Sequence, residues 1–469
     1  MIQIPEQVAF IIHKLEEAGF EAFAVGGCVR DTLLGRVPDD WDITTSALPE
    51  QVKSIFRRTI DTGIEHGTVT VMMGKEGYEV TTYRVDGDYQ DGRHPSSVTF
   101  TPSLIEDLKR RDFTINAMAF RPDSGADTVD STATSTSDRG IVDCFDGMED
   151  LKHKIIRCVG DPEDRFREDA LRMMRAVRFA AQLGFTIEEN TKAAIRKLAG
   201  NLRLISKERI QVELVKLLTS PHPDYIRIAY ETGITAVVLP EFDRMMETAQ
   251  HNLFHSMTVG EHTIRSLLAI EPDPILRLTM LLHDIGKPNC LRVDPDGITH
   301  FKQHAPIGAE LAHRILRDLK FDNRTLDDVT ALILWHDSFR DWMDFSVSPP
   351  TVRKTVIRRI ASKIGRDRFP LLMKVVRADN LAKTDYAKAQ YIPCLNLIDR
   401  AFREILADED CLSLKELAIN GKDLMNMGIK PGKEIGRILN HCLELVLENP
   451  KLNTQETLKA LAEKMIAEY

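Results

Sequence analysis

Apolar positions change their period once along this chain. Up to about residue 146, short alternating or continuous apolar runs predict strands separated by turns: EAFAV at 21–25, TVTVMMG at 68–74, YEVTTYRV at 78–85 and INAMAF at 115–120. Beyond roughly residue 150 nearly every segment repeats at the helical period. The shift predicts an α+β class: a mixed sheet with helices, followed by an all-α body. The opening MIQIPEQVAFIIHKLEEAGF has its apolar residues broken by charges and no basic stretch before them, so it predicts an amphipathic helix, not a signal peptide. The segments 86–97 (DGDYQDGRHPSS) and 123–140 (DSGADTVDSTATSTSDRG) are rich in Gly, Ser, Thr and Asp and predict loops inside the first domain. No run is long and apolar enough to span a bilayer.

Length and charge refine this picture. At 469 residues the chain is too long for one core and predicts two to four domains. A net charge of −9 taken alone speaks against nucleic acid, whose phosphates demand cations. Three local basic clusters run the other way. They are Lys109, Arg110 and Arg111; then Arg165, Arg167, Arg172, Arg175 and Arg178; then Arg353, Lys354, Arg358, Arg359, Lys363, Arg366 and Arg368. Any one of them alone reads more readily as a solvated helix face than as an RNA contact. The seven cysteines are scattered without a CxxC pair, which argues against disulfides and cysteine-held zinc and predicts a reducing, cytoplasmic setting.

The first chemical signal is FAVGGCVRDTLLG, a buried strand that turns at Gly26 and Gly27 into a helix carrying Arg30 in its first turn. Such a turn brings backbone N–H groups and a cation towards an anion, although Gly-Gly also makes ordinary turns. PDDWDITT follows, with Asp40 and Asp42 two residues apart in a strand-like segment and so facing one way. Adjacent carboxylates repel unless a hard divalent cation lies between them, which is the layout for two-metal nucleotidyl transfer. In YEVTTYR, Glu79 is either a third acidic group near the metals or a plain surface residue.

The second signal lies in DRFREDALRMMRAVRFAAQLGF, which reads as one helix with Asp169 and Arg172 at i and i+3. Such a pair is often only a surface ion pair. A carboxylate that accepts beside a guanidinium that donates also matches the donor and acceptor edge of cytosine and adenine, and mismatches uracil and guanine. Leaving buried polar groups unpaired costs about 1–3 kcal/mol each.

The third signal is LLHDIGK, which sets His283 and Asp284 at a helix end closed by Gly286, with other imidazoles and carboxylates at His255, His262, His300, His304, His336 and Asp379. Imidazole with carboxylate suits a transition metal, although each residue singly is compatible with a core or surface role.

The co-linear set GGCVRD, DDWDITT, YEVTTYR, DGRHP and DLKRRDFTINAMAF resembles the class II tRNA nucleotidyltransferase and bacterial poly(A) polymerase family, part of the polymerase-beta-like nucleotidyltransferases. The likeness implies a head domain over residues 1–146, a helical neck for base selection and RNA binding over 147–245, an HD phosphohydrolase-like domain over 246–390 and a helical tRNA-binding tail over 391–469. It further implies Asp40 and Asp42 as ligands of two Mg²⁺ ions with Glu79 beside them, and a phosphate loop at Gly26, Gly27 and Arg30. Ribose and phosphate contacts fall on Arg111, Asp112 and Asn116, the protein template on Asp169 and Arg172, and further phosphate contacts on Arg175 and Arg178. Similarity to the HD superfamily places a transition metal on His262, His283, Asp284 and Asp379, with His304 and His336 for a second ion and His255 competing with His262. The implied activity is template-independent addition of the terminal CCA to the tRNA acceptor arm from CTP and ATP. A poly(A) polymerase, a partial CC- or A-adding enzyme, and an HD phosphohydrolase with an RNA-binding N-terminal domain are the alternatives. Oligomeric state is not encoded in these patterns.

Overall fold

The computed structural model describes residues 4–87, 98–122, 140–251, 254, 256–339 and 352–467. Most of the two expected loops, DGRHP within the first of them, and His255 lie outside the described residues. The chain forms two compact units, residues 1–238 and 239–469.

In the first unit the strands are β1 (Ala22–Val25), β2 (Ile43–Thr45), β3 (Thr59–Gly63), β4 (Thr68–Met73), β5 (Glu76–Thr82), β6 (Arg84–Asp86), β7 (Val98–Phe100), β8 (Met118–Phe120) and β9 (Ile141–Asp143), with a short parallel pair, β10 (Ile155–Ile156) and β11 (Thr186–Ile187), in the region the sequence predicts as all helix. Seven of them make one sheet in the order β3-β4-β5-β2-β1-β8-β9, while β6 and β7 pair separately. The β2–β5 pair is parallel and places Ile43 opposite Val80, whereas β1 runs antiparallel to both β2 and β8. All four residues of β1 are buried, as a central strand covered on both faces requires. The helices that matter for the site are α1 (Glu6–Glu17), α2 (Gly27–Leu33), α3 (Pro49–Ile55), α4 (Leu104–Lys109), α5 (Gly147–His153), α6 (Pro162–Glu168), α7 (Leu171–Leu183), α8 (Glu189–Leu198) and α9 (Lys207–Leu218).

The sequence pattern locates most of this sheet. It does not separate β3 and β9, which lack a clean apolar alternation, and it merges α6 with α7. The helix breaks at Asp169, whose backbone is extended (φ −141°, ψ 104°) and whose carboxylate accepts from the Leu171 N–H at 3.0 Å. A short acidic side chain competing for backbone N–H groups ends one helix and starts the next.

Among the described residues the second unit is helical apart from a two-stranded ladder, Arg292–Val293 with Thr299–His300. Its core runs from Leu332 to Ala462 and includes Phe369 and Phe402, stacked 4.1 Å apart between ring centroids. Among the described residues no helix is long and apolar enough to cross a membrane.

Candidate active site and metal centre

Gly26 connects β1 to α2 with φ +84°, a left-handed conformation that glycine adopts without strain, and a Cβ there would lie 2.9 Å from Arg111 Nη1. Its own N–H is committed to the Met118 carbonyl at 3.1 Å, so the anion-facing donors expected of this turn begin at Gly27. The Asp42 carbonyl accepts from the Val25 N–H at 3.0 Å, which fixes the segment before β2 against β1. Asp42 and Glu79 then line one cavity with Thr68, Thr81, Arg84, Arg110 and Arg111.

Crowding of like charge marks this cavity. Burial raises the Asp42 carboxyl and Asp40 raises it further, against the pull of Arg111. Glu79 is likewise raised by burial and by the Asp42 and Asp40 charges. Asp42 and Glu79 line the cavity and Asp40, which is exposed and outside that lining, adds like charge only partly offset by Arg111, the chemistry that suits a divalent cation. Behind them sits Asp107, fully buried, which accepts from Arg110 Nε at 3.0 Å and Nη2 at 2.8 Å and from the Thr44 hydroxyl at 3.2 Å. Arg111 Nη2 lies 3.7 Å from the same carboxylate. Asp107 thus positions two arginines opposite the carboxylates.

A second network joins the sheet to α7. Arg30 is 8% exposed; it donates to Asn116 Oδ1 at 2.6 Å and binds Asp31 through Nε at 2.9 Å and Nη2 at 2.7 Å. Asn116 donates to Asp112 Oδ1 at 3.1 Å, and Asp112 Oδ2 accepts from Arg175 Nε at 2.8 Å. Burial would raise the Asp112 carboxyl, but Arg175 and Arg172 more than offset it and hold it at about 2. Arg30, Asn116, Asp112 and Arg175 are thus one linked cluster. Arg178 stands apart: it is buried, donates from Nε to Glu213 Oε2 at 2.5 Å and lies 3.7 Å over the Phe179 ring.

The base-reading candidates are not partnered as an i, i+3 spacing predicts. Asp169 binds Arg209 of α9, at 2.7 Å from Nη2 to Oδ2. Arg172 binds Glu168 at 2.5 Å and the Arg110 carbonyl at 3.0 Å. The helix break at Asp169 accounts for the difference, since the spacing rule holds only within a continuous helix.

In the second unit the helix Pro274–Leu282 ends at His283, as the sequence predicts. Gly286 is not a left-handed stop. A Cβ there would lie 2.2 Å from the His304 carbonyl and 2.6 Å from the Gly308 nitrogen, so glycine admits the helix His304–Asp318 against the His283–Asp284 turn. Two overlapping clusters result, His262 with His283 and Asp284, and Asp284 with His304 and His336, all buried. Asp284 belongs to both. The Nδ1 atoms of His283, His304 and His336 donate to the carbonyls of Met280, Phe301 and Ile333 at 2.7, 2.9 and 2.6 Å. That fixes the tautomers and turns each bare Nε2 inward. The Nε2 atoms of His304 and His336 face each other at 3.2 Å, where two lone pairs repel unless a proton or a metal lies between them. His283 Nε2 lies 3.2 Å from Asp284 Oδ2 without making a hydrogen bond. Burial and the neighbouring His336 push His304 down to about 4, which leaves it neutral and ligand-ready at pH 7. Asp379 accepts from or shares a proton with His262 Nε2 at 2.8 Å and takes Lys383 Nζ at 2.7 Å on its other oxygen. His300 is outside the centre, exposed on the ladder and paired with Asp294 at 2.6 Å. Among the described residues these are the compact His and Asp groups with metal-ligand spacing, and the Asp40, Asp42 and Glu79 set is looser.

The Poly A polymerase head domain model matches residues 22–157 and the "Probable RNA and SrmB- binding site of polymerase A" model matches 184–246. The HD domain model matches residues 253–384 and a second-domain model of tRNA nucleotidyltransferases matches 385–462. The CCA-adding enzyme of Pediococcus pentosaceus is 53% identical over 96% of this chain and 95% of its own length. That of Lactobacillus helveticus is 37% identical over 97% and 96%. The chain belongs to the CCA-adding enzyme family. The crystal structure of the Bacillus stearothermophilus CCA-adding enzyme in complex with CTP covers 99% of both chains at a TM-score of 0.70 and 31% identity. The Thermotoga maritima CCA-adding enzyme complexed with tRNA shares the fold at a TM-score of 0.59 and 18% identity.

Within this CCA-adding enzyme family member, pattern reading missed Asp107, Arg209, Lys287 and Lys383. Asp107 stands three and four residues before Arg110 and Arg111, a helical spacing visible in the sequence. Lys287 follows Asp284 by three residues and binds its Oδ2 at 2.7 Å. Arg209 carries no local signal, because its partner lies 40 residues away.

Proposed function

We propose that this chain completes and repairs the 3′-terminal CCA of tRNA, transferring CMP and AMP from CTP and ATP to the tRNA 3′ hydroxyl without a nucleic acid template. The observation that carries the reading is the head cavity, which Asp42 and Glu79 line together with Arg84, Arg110 and Arg111. Carboxylates and arginines lining one cavity fit a cation-bound triphosphate. Asp40 and Asp42 would hold two Mg²⁺ ions with Glu79 in support. Mg²⁺ bound there supplies activation of the attacking hydroxyl and neutralises charge on the triphosphate. Gly27 and the Arg30–Asn116–Asp112 cluster border the triphosphate and sugar, and Asp169 with Arg172 selects the base. Relatives covering almost the whole chain support CCA addition over poly(A) synthesis or a partial activity. We assign the head to residues 1–146, the neck to 147–245, the HD domain to 246–390 and the tail to 391–469, with the acceptor arm as the RNA partner.

The test is direct. Transcripts of tRNA ending before, within and after CCA are incubated with the protein, all four nucleoside triphosphates and Mg²⁺, and their 3′ ends are sequenced. Every shortened transcript is expected to stop at CCA. Long A tails, or ends stopped at CC, would overturn the assignment.

The HD centre we read as a two-ion transition-metal site for phosphoester hydrolysis, with Asp284 shared between the ions. Dialysis against Mn²⁺ followed by metal analysis is expected to find about two ions per chain, imidazole and carboxylate being the suitable donors. His304→Ala is expected to retain one ion, and Asp284→Asn the least. Metal content unchanged in both variants would remove the ligand assignment.

A further inference from the structure

We infer that Arg209 sets nucleotide selectivity by holding the Asp169 carboxylate away from Arg172, and is thus a positioning residue for base choice. The inference rests on the reading of Asp169 and Arg172 as the base-selecting pair.

Asp169 and Arg172 are joined by a tight turn, in which the Arg172 N–H donates to the Asp169 carbonyl at 3.0 Å, so their opposite charges are near enough in the chain to close on each other. A closed pair spends its acceptors and donors internally and has little left to offer a base edge. Here the two groups are drawn apart. Arg209 takes both oxygens of Asp169, at 2.7 Å from Nη2 to Oδ2 and 3.4 Å from Nη1 to Oδ1. The Leu171 N–H adds a third bond, to Oδ1 at 3.0 Å. Arg172 is turned instead to Glu168 Oε2 at 2.5 Å and to the carbonyls of Arg110 at 3.0 Å and Arg165 at 3.3 Å. A carboxylate has about four acceptor positions, so Asp169 keeps one open while its rotamer is fixed.

The anchor is firm because the helices that carry these residues are pinned together. Glu213 follows Arg209 by one turn of α9, and its buried bond to Arg178 at 2.5 Å ties α9 to α7. Arg209 itself is accessible enough to be replaced without opening the core, at 24% side-chain exposure. Its removal frees Asp169 to swing onto Arg172, which closes the pair and blunts discrimination.

The experiment compares kcat/KM for each of the four nucleoside triphosphates in Arg209→Ala, Arg209→Lys, Asp169→Ala and the Asp169→Ala/Arg209→Ala double variant. Thermal melting and tRNA binding serve as folding controls. In Arg209→Ala the preference for CTP and ATP over UTP and GTP should fall by about tenfold or more, the scale set by one unpaired buried polar group. Arg209→Lys should recover part of that preference, because one charge-assisted bond to Asp169 survives. In the Asp169→Ala background the second change should add nothing, since coupled groups do not add. Native selectivity in Arg209→Ala, or an equal loss for all four nucleotides, would overturn the inference while Asp169→Ala still loses selectivity. If Asp169→Ala also keeps native selectivity, the base-selection reading fails first and takes the inference with it.

Discussion

Asp42→Ala is expected to abolish nucleotide addition, by at least about a thousandfold, while tRNA binding is kept. The size follows from the several kcal/mol that metal stabilisation of a transferring phosphoryl group contributes. Asp42 is the candidate ligand that both lines the head cavity and interacts with Arg111. The more informative variant is Asp42→Asn, which keeps the shape and removes the charge. Burial and Asp40 raise the Asp42 carboxyl, so its ionised form is disfavoured by the fold at neutral pH. Without divalent cation, Asp42→Asn should therefore melt at the same temperature as the parent or higher, although it is inactive. Added Mg²⁺ should raise the melting temperature of the parent and have a smaller effect on the variant. Retained transfer in Asp42→Ala sinks the metal assignment. Loss of both activity and stability in Asp42→Asn would mean a structural carboxylate instead.

The second large effect concerns stability. Arg178→Met is expected to destabilise the first unit by about 3–5 kcal/mol, because it strands the Glu213 carboxylate in the core. The pair is sealed on both sides, with side-chain exposures of 7% and 6%. Arg178 also donates to Gln182 Oε1 at 2.8 Å. The Arg178→Met/Glu213→Leu double variant removes both charges and should recover most of the loss, as apolar replacement of a buried pair often does. Melting of the three proteins, followed by circular dichroism, decides the matter. The family resemblance places Arg178 among the phosphate contacts. An Arg178→Met variant with unchanged melting and a raised KM for CTP would restore that role and refute the structural one.

Features with a local cause were legible from residue order. The Gly-Gly turn after a buried strand, the DxD spacing, the HD doublet at a helix end and the passage from period 2 to period 3.6 each depend on neighbours in the chain. What failed was partnership. The third basic cluster reads as a solvated helix face, yet Arg358 binds Asp410 and Lys354 binds Glu404. Arg359 approaches Glu444 and Arg368 binds Asp328. Those acids are remote in sequence, and no count of charge within a window finds them. The same holds for Asp169, for which helical spacing predicts Arg172 and another helix supplies Arg209.

The sequence by itself determined the α+β head followed by helices, the family, and the identity of the acidic, glycine and imidazole residues with chemistry to perform. Periodicity and turn chemistry are short-range, and a helix or strand carries them wherever it packs. The tertiary structure alone decided which groups meet. It set Asp107 behind Arg110 and Arg111, drew Asp169 to Arg209, buried Arg178 against Glu213 and brought His262 to Asp379 across 117 residues. Such contacts depend on how elements pack, and packing answers to the whole core.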